Sequence, residues 1–162
     1  MASGIAIDIQ ANNVVLDLNG HKLGNLGAGP GTRAAGISAG NHTNITIRNG
    51  TVRGFYTGIT LTSNTPTSGG HIVENIRADL NTFTSIRVTG TGNIIRNNLV
   101  VATGGSTIVQ SAYGIMGGSF FGGSGNRLLN NDVINTVANG SEYAFAILVE
   151  GGNATVRGIT AP

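Results

Sequence analysis

Seven carboxylates make up the whole acid complement of this 162-residue chain: Asp8, Asp17, Glu74, Asp79, Asp132, Glu142 and Glu150. Nine basic residues, scattered singly from Lys22 to Arg157, and three histidines at 21, 42 and 71 stand against them. Hydrolysis of a glycoside needs two carboxylates roughly 5 to 9.5 Å apart across a sugar. Here that pairing would have to come through space, from Asp79 with Glu142 or Asp132, with Arg33 or another arginine as the cation for an acidic sugar. Isolated, solvated turn acids are the alternative. The histidines lack metal-ligand spacing, although His42 and His71 both precede a strand and would approach each other if their turns were in register. No metal site is expected. The chain has no cysteine, which removes thiol catalysis and disulfide stapling. The glycine-rich string at 117–125 lacks the Lys-Ser/Thr of a phosphate loop. The fullest set is aromatic. Tyr56, Phe83, Tyr113 and Tyr143 each come two to four residues before an isoleucine, in four successive repeats. Stacked at one corner, such rings would offer apolar faces to the C–H groups of sugars and phenol hydroxyls as hydrogen-bonding handles. A stack that merely seals the corner is the competing reading.

A repeat supplies the scaffold that could bring these side chains together. First-strand anchors recur at Ile7, Ile37, Ile59, Ile86, Ile115 and Ile147. Second-strand anchors follow at Leu18, Ile47, Ile72, Ile95, Leu128 and Val156, spaced by 29, 25, 23, 33 and 28 residues. Alternation such as Ile45-Thr46-Ile47-Arg48 is the half-buried strand pattern, and no helical period runs long enough to compete with it. A repeat of this size made of strand and turn predicts a solenoid, in which each coil buries its apolar face only by stacking on its neighbours. Rungs fall near 5–35, 36–57, 58–84, 85–113, 114–144 and 145–162, a single domain over 5–162 after four start residues. The third position after each second anchor forms a column, His21, Gly50, Asn75, Asn98 and Asn131, that predicts an asparagine ladder at one corner. The connections leaving the second strand lengthen at 24–33, 103–111 and 136–142, and those joining first to second strand lengthen at 63–70 and 117–125. In solenoids such insertions gather on the binding face.

Composition narrows the partners. Charged residues are 10% of the chain, far below the roughly 25% of ordinary soluble domains. Polarity comes instead from 27 glycines and 19 asparagines, which favour tight turns. A net charge of +2 without a basic run argues against nucleic acid. No apolar run reaches the roughly 18 residues of a membrane span, and Met1-Ala2-Ser3-Gly4 opens straight into strand pattern without the marks of a signal peptide. The expectation is a piece of a longer protein, with self-association possible through open coil ends.

The segments Leu16-Asp17-Leu18-Asn19-Gly20-His21-Lys22-Leu23 and Asn44-Ile45-Thr46-Ile47-Arg48-Asn49-Gly50-Thr51-Val52, and the turn Ile95-Arg96-Asn97-Asn98, resemble those of right-handed parallel β-helix proteins of the pectin-lyase-like superfamily. That resemblance implies three parallel sheets in about six coils, a polysaccharide groove along the outside, and an extracellular or cell- or virion-surface setting. It also implies possible activities: a polysaccharide lyase, with calcium as its cofactor, or a glycoside hydrolase acting on acidic polysaccharide. The catalytic motifs do not follow the fold. The Asn-Thr-Asp and Asp-Asp motifs of polygalacturonase-like enzymes are absent, and no carboxylate cluster of the calcium-dependent lyases is visible. The expected activity is therefore glycan binding through Tyr56, Phe83, Tyr113 and Tyr143, with Arg33, Asp79, Asp132 and Glu142 as the catalytic candidates if the chain is an enzyme. The third alternative is a structural shaft segment of an adhesin or spike.

Overall fold

A computed structural model describes residues 1–63, 65, 68–118 and 123–161 of the chain. The long connections at 63–70 and 117–125 lie partly outside these residues. Among the described residues all regular structure is strand except one helical turn at Leu26–Ala28.

The strands stack in parallel on three faces. The first face is a six-stranded sheet of β1 (Ile5–Asp8), β4 (Ala35–Gly40), β6 (Thr57–Thr62), β8 (Thr84–Val88), β11 (Ala112–Gly117) and β14 (Ala144–Val149), in that spatial order. Its register carries Ile7, Ile37, Ile59, Ile86, Ile115 and Ile147 in one column, all six first-strand anchors. The second face holds β2 (Val15–Asp17), the front of β5 (Thr46–Arg53), the front of β7 (Ile72–Asp79), β9 (Ile94–Arg96), β12 (Arg127–Leu129) and β15 (Thr155–Arg157). The third face holds β3 (Lys22–Gly24), the backs of β5 and β7, β10 (Leu99–Gly104) and β13 (Asp132–Val137). Six rungs on the first face make about five turns of a parallel β-solenoid.

The corners explain the asparagines. Coils turn by placing one residue per corner at positive φ, a conformation that costs an ordinary L-residue about 1–2 kcal/mol and that glycine and asparagine tolerate best. Asn13, Asn44, Gly70, Gly92, Gly125 and Asn153 hold it between the first and second faces, with φ between 53° and 69°. Asn49, Asn75, Asn97, Asn130 and Gly158 hold it between the second and third. The corner from third face to first uses Gly54, Leu80, Ala102 and Asn135, so two of its four positions carry residues with no such tolerance.

Inside, the anchors pack into one core, with Ile37, Ile47, Ile59, Ile86, Ile115 and Leu128 fully buried. Two polar columns run through it. At the corner between the second and third faces, Asn98 Nδ2 donates to Val73 O (2.9 Å) and to Asn131 Oδ1 (3.0 Å). Asn98 Oδ1 accepts from the Ile76 N–H of the rung before, and Asn131 Nδ2 donates to Ile95 O at 2.8 Å. This is the expected ladder, confined to Asn98 and Asn131. Asn75 is displaced from it. The true second anchors are Leu16, Ile47, Val73, Ile95, Leu128 and Val156, so Leu18 and Ile72 are out of phase and Asn75 lands on the left-handed corner instead. A second ladder stands at the corner between the first and second faces. Asn126 Oδ1 accepts from the Asn93 N–H, Asn93 Oδ1 accepts from the His71 N–H (2.9 Å), and His71 Nδ1 accepts from the Ile45 N–H (3.3 Å).

Candidate functional site

The outer side of the first face collects the aromatic residues. Tyr56, Phe83 and Tyr113 follow the third corner in consecutive rungs, and their rings run as a continuous stack. Tyr56 and Phe83 lie with centroids 4.8 Å apart and planes 17° off parallel. Phe83 meets Tyr113 edge-on at 5.5 Å, and Tyr113 stacks on Phe145 at 5.6 Å and 10°. Register sets the last contact, because Tyr113 pairs with Phe145 in the ladder. Phe145 therefore takes the place in the stack expected for Tyr143, which lies against it at 6.1 Å and is 68% exposed. The spacing signal was available: Phe145 precedes Ile147 by two residues, as Tyr113 precedes Ile115.

Beside the rings runs an outward column of Asp8, Ser38, Thr60, Arg87, Met116 and Leu148. Arg87 Nε and Thr84 Oγ1 are buried here without a hydrogen-bond partner among the described residues, an arrangement that costs free energy unless something satisfies it. Arg33 is exposed at the same edge. Burial raises the Tyr56 phenol above its ordinary pKa, and the nearby Arg33 cation opposes that shift, so the ring keeps its hydroxyl proton at neutral pH. Neither Arg33 nor Arg87 forms an ion pair among the described residues.

The long connections form a wall along this edge. The Thr107 N–H donates to Pro30 O and the Ser106 N–H to Thr82 O, both at 3.1 Å, so the loop of one rung folds back over earlier ones. Asn139 ties the next loop on, its N–H to Gln110 O (2.7 Å) and Nδ2 to Ser106 O (3.2 Å). Between these loops lies a cavity of about 420 Å³, lined by Ala102, Thr103, Gly104, Asn135, Val137 and Asn139 among others. The insertions leaving the third face thus gather on one side of the solenoid, next to the ring stack.

The catalytic candidates do not converge. Asp79 lies on the third face, nearly buried, with Oδ2 at 2.9 Å from Arg77 Nε and Oδ1 at 2.9 Å from Arg53 Nε, the second contact without hydrogen-bond alignment. Asp132 occupies a different column, in register with Leu99, which is in register with Arg77. Glu142 stands beside Tyr143 in the loop, 3.4 Å from the Ser111 hydroxyl that donates to it. Glu74 pairs in register with Arg48 and Arg96, and bonds Arg96. His42 Nδ1 faces Asn12 Oδ1 at 3.3 Å while His71 is interior, so the two histidines serve separate contacts. Burial pulls His71 down to a pKa of about 4. Among the described residues no three His, Cys, Asp or Glu side chains are grouped to hold a metal ion.

No known protein family matches this chain, and neither a curated protein nor a solved structure matches it.

Proposed function

We propose that this chain is a polysaccharide-binding β-helix that holds a glycan along the outer side of its first face. The observation that carries the reading is the ring stack Tyr56–Phe83–Tyr113–Phe145, which follows the solenoid axis over four rungs. Rungs in a sheet repeat about every 4.8 Å, close to the length of a sugar residue. A chain of sugars laid along the axis would meet a ring or a hydrogen-bonding edge at each step. Arg33 and Arg87, which form no ion pair among the described residues, favour an acidic glycan over a neutral one. Membership of the pectin-lyase-like superfamily, right-handed coiling, and an extracellular or surface location belong to the same reading. They are supported by the corner motifs, the parallel coils and the sparse charge.

Catalysis by a lyase or hydrolase is a second reading, favoured by Glu142, a carboxylate at the end of the ring stack that forms no ion pair among the described residues. The test is incubation with acidic and neutral polysaccharides, with and without calcium, followed by retention on the insoluble glycans, unsaturated-uronate absorbance and reducing ends. Retention of the protein on an acidic glycan without product is the expected result. Product formation would replace binding with catalysis, and failure to be retained on any glycan would overturn both.

A further inference from the structure

We propose that a pocket in the third corner, between the loop at 24–33 and the tight turns of the next two rungs, binds an uncharged apolar group about the size of a benzene ring. The second and third rungs turn this corner tightly, at Gly54 and at Leu80, while the rungs on either side extend the connections 24–33 and 103–111. Those two loops join where the Thr107 N–H donates to Pro30 O at 3.1 Å. The pocket measures about 200 Å³ and is lined by Leu26, Gly29, Pro30, Gly54, Leu80 and Thr82. Much of its polar backbone is already engaged. Leu26 O accepts from the Gly29 N–H and Thr82 O from the Ser106 N–H, while the Leu80 and Thr82 N–H groups donate to Val101 O and Phe55 O. The Thr82 hydroxyl oxygen is buried, and none of the six residues carries a charge. What the walls offer an occupant is therefore apolar contact. Size narrows it further. An apolar cavity of about 150 Å³ takes up benzene, so this one has room for an aromatic ring with a short substituent. The hydrogen bonds to Pro30 and Thr82 hold two walls in place without a ligand, which lowers the cost of binding.

A second observation points to a ligand. Among the described residues, ten of the twelve non-glycine residues at positive φ are asparagines. The exceptions are Leu80 and Ala102, in consecutive rungs of this same corner, where Gly54 and Asn135 hold the places before and after them. A leucine at φ 54° is strained, and strain of this kind collects at functional sites. Leu80 does not repay that strain in the core, since it is 43% exposed. It lines the pocket instead, and Ala102 lines the larger cavity in the next rung. An apolar occupant accounts for an apolar side chain at a corner that asparagine or glycine would hold without strain. The group has two sources open to it: a free small molecule, or a substituent on the glycan. Gly54 and Thr82 precede the stacked rings of Tyr56 and Phe83 by two positions and one, so a substituent would have a short way to reach. The pocket itself stands without the glycan-binding reading.

Saturation-transfer NMR tests this with methyl benzoate as probe and methyl glucoside as polar control, on the wild type, Leu80→Asn and Tyr113→Ala. The wild type should bind methyl benzoate saturably and leave methyl glucoside unbound. Leu80→Asn should weaken methyl benzoate about tenfold, with its strand signal in circular dichroism intact. Tyr113→Ala, in the ring stack, should leave that affinity unchanged. Should Leu80→Asn lose its strand signal, Leu26→Trp, which fills the pocket from its exposed turn, takes over and should abolish binding. No saturable binding to the wild type, a loss in Tyr113→Ala, or an unchanged affinity in a folded pocket variant would each overturn the proposal. Retention on an acidic polysaccharide with and without benzoyl esters separates the two sources. Stronger retention on the esterified polymer, lost in the pocket variant, assigns the group to the glycan, whereas equal retention assigns it to a free molecule. Methyl benzoate binding by a protein that no glycan retains would sink the glycan reading alone.

Discussion

Two outer surfaces of one solenoid treat their polar groups in opposite ways. On the second and third faces the charges answer one another: Asp17 with Arg48, Glu74 with Arg96, and Asp79 with both Arg53 and Arg77. Asp17 is held below its ordinary pKa by the Asn19 N–H first, and then by Asn49 and Arg48. On the first face, among the described residues, Arg33 and Arg87 form no ion pair, the buried Thr84 Oγ1 and Arg87 Nε have no hydrogen-bond partner, and a row of rings is partly exposed. The first arrangement already engages Asp17, Glu74 and Asp79 with arginines of the same faces. The second leaves cations and partly exposed rings side by side, and such a surface is where binding free energy is available.

The comparison can be broken by substitutions that should act on one surface and not the other. The largest effect on stability should come from Asp79→Asn, which leaves Arg53 and Arg77 without their shared carboxylate. A loss of about 1–3 kcal/mol is expected, reduced from the fully buried case because both guanidiniums are partly exposed. Chemical denaturation measures it, and glycan retention should not change. Tyr113→Ala should do the reverse, weakening retention about tenfold, or about 1.4 kcal/mol, while the strand signal persists. Equal losses of binding in both variants would erase the distinction between the faces.

His71 sharpens the comparison, since it sits inside the corner between the first and second faces. Its native pKa of about 4 lies below the ordinary 6.5, so between those values the unfolded chain takes up a proton that the native chain refuses. Stability should therefore fall as pH drops from about 6.5 through about 4 and level off below. His71→Asn, matching Asn93 and Asn126 in its column, should flatten that slope without moving glycan retention. The smallest effect should come from Leu80→Asn. Leu80 holds φ at 54° on the third corner and is 43% exposed, so an asparagine there should raise stability by about 0.5–1 kcal/mol.

Much of this architecture is legible in the sequence because isoleucine marks the first strand in every rung. The second strand is harder to phase. Ile72 and Val73 are both apolar, and the one that points inward is fixed only by the neighbouring rung. Leu18 misleads for another reason. The first rung places four residues, 18–21, in a corner where the next rung places only Asn49 and Gly50. Leu18 can fold inward there because Gly50 has no side chain; a Cβ on Gly50 would overlap it. Counting from Ile72 rather than Val73 is what puts Asn75 in the ladder column, one position away from its left-handed corner. The ladder of His71, Asn93 and Asn126 went unseen, although Asn93 and Asn126 each stand two residues before a true anchor. The ring stack was visible as a column, but which ring ends it depends on register rather than on residue type. The ion pairs of Asp79 join residues from two rungs, Arg53 on β5 and Arg77 on β7, so adjacency along the chain could not reveal both of them.

The most direct test of the central claim is a residue-resolved footprint: amide chemical shifts of labelled protein titrated with an acidic oligosaccharide that retains it. Perturbations confined to residues around Arg33, Tyr56, Phe83, Arg87 and Tyr113 are the predicted result. Perturbations centred on the ion-paired second and third faces, with the first face unmoved, would contradict it.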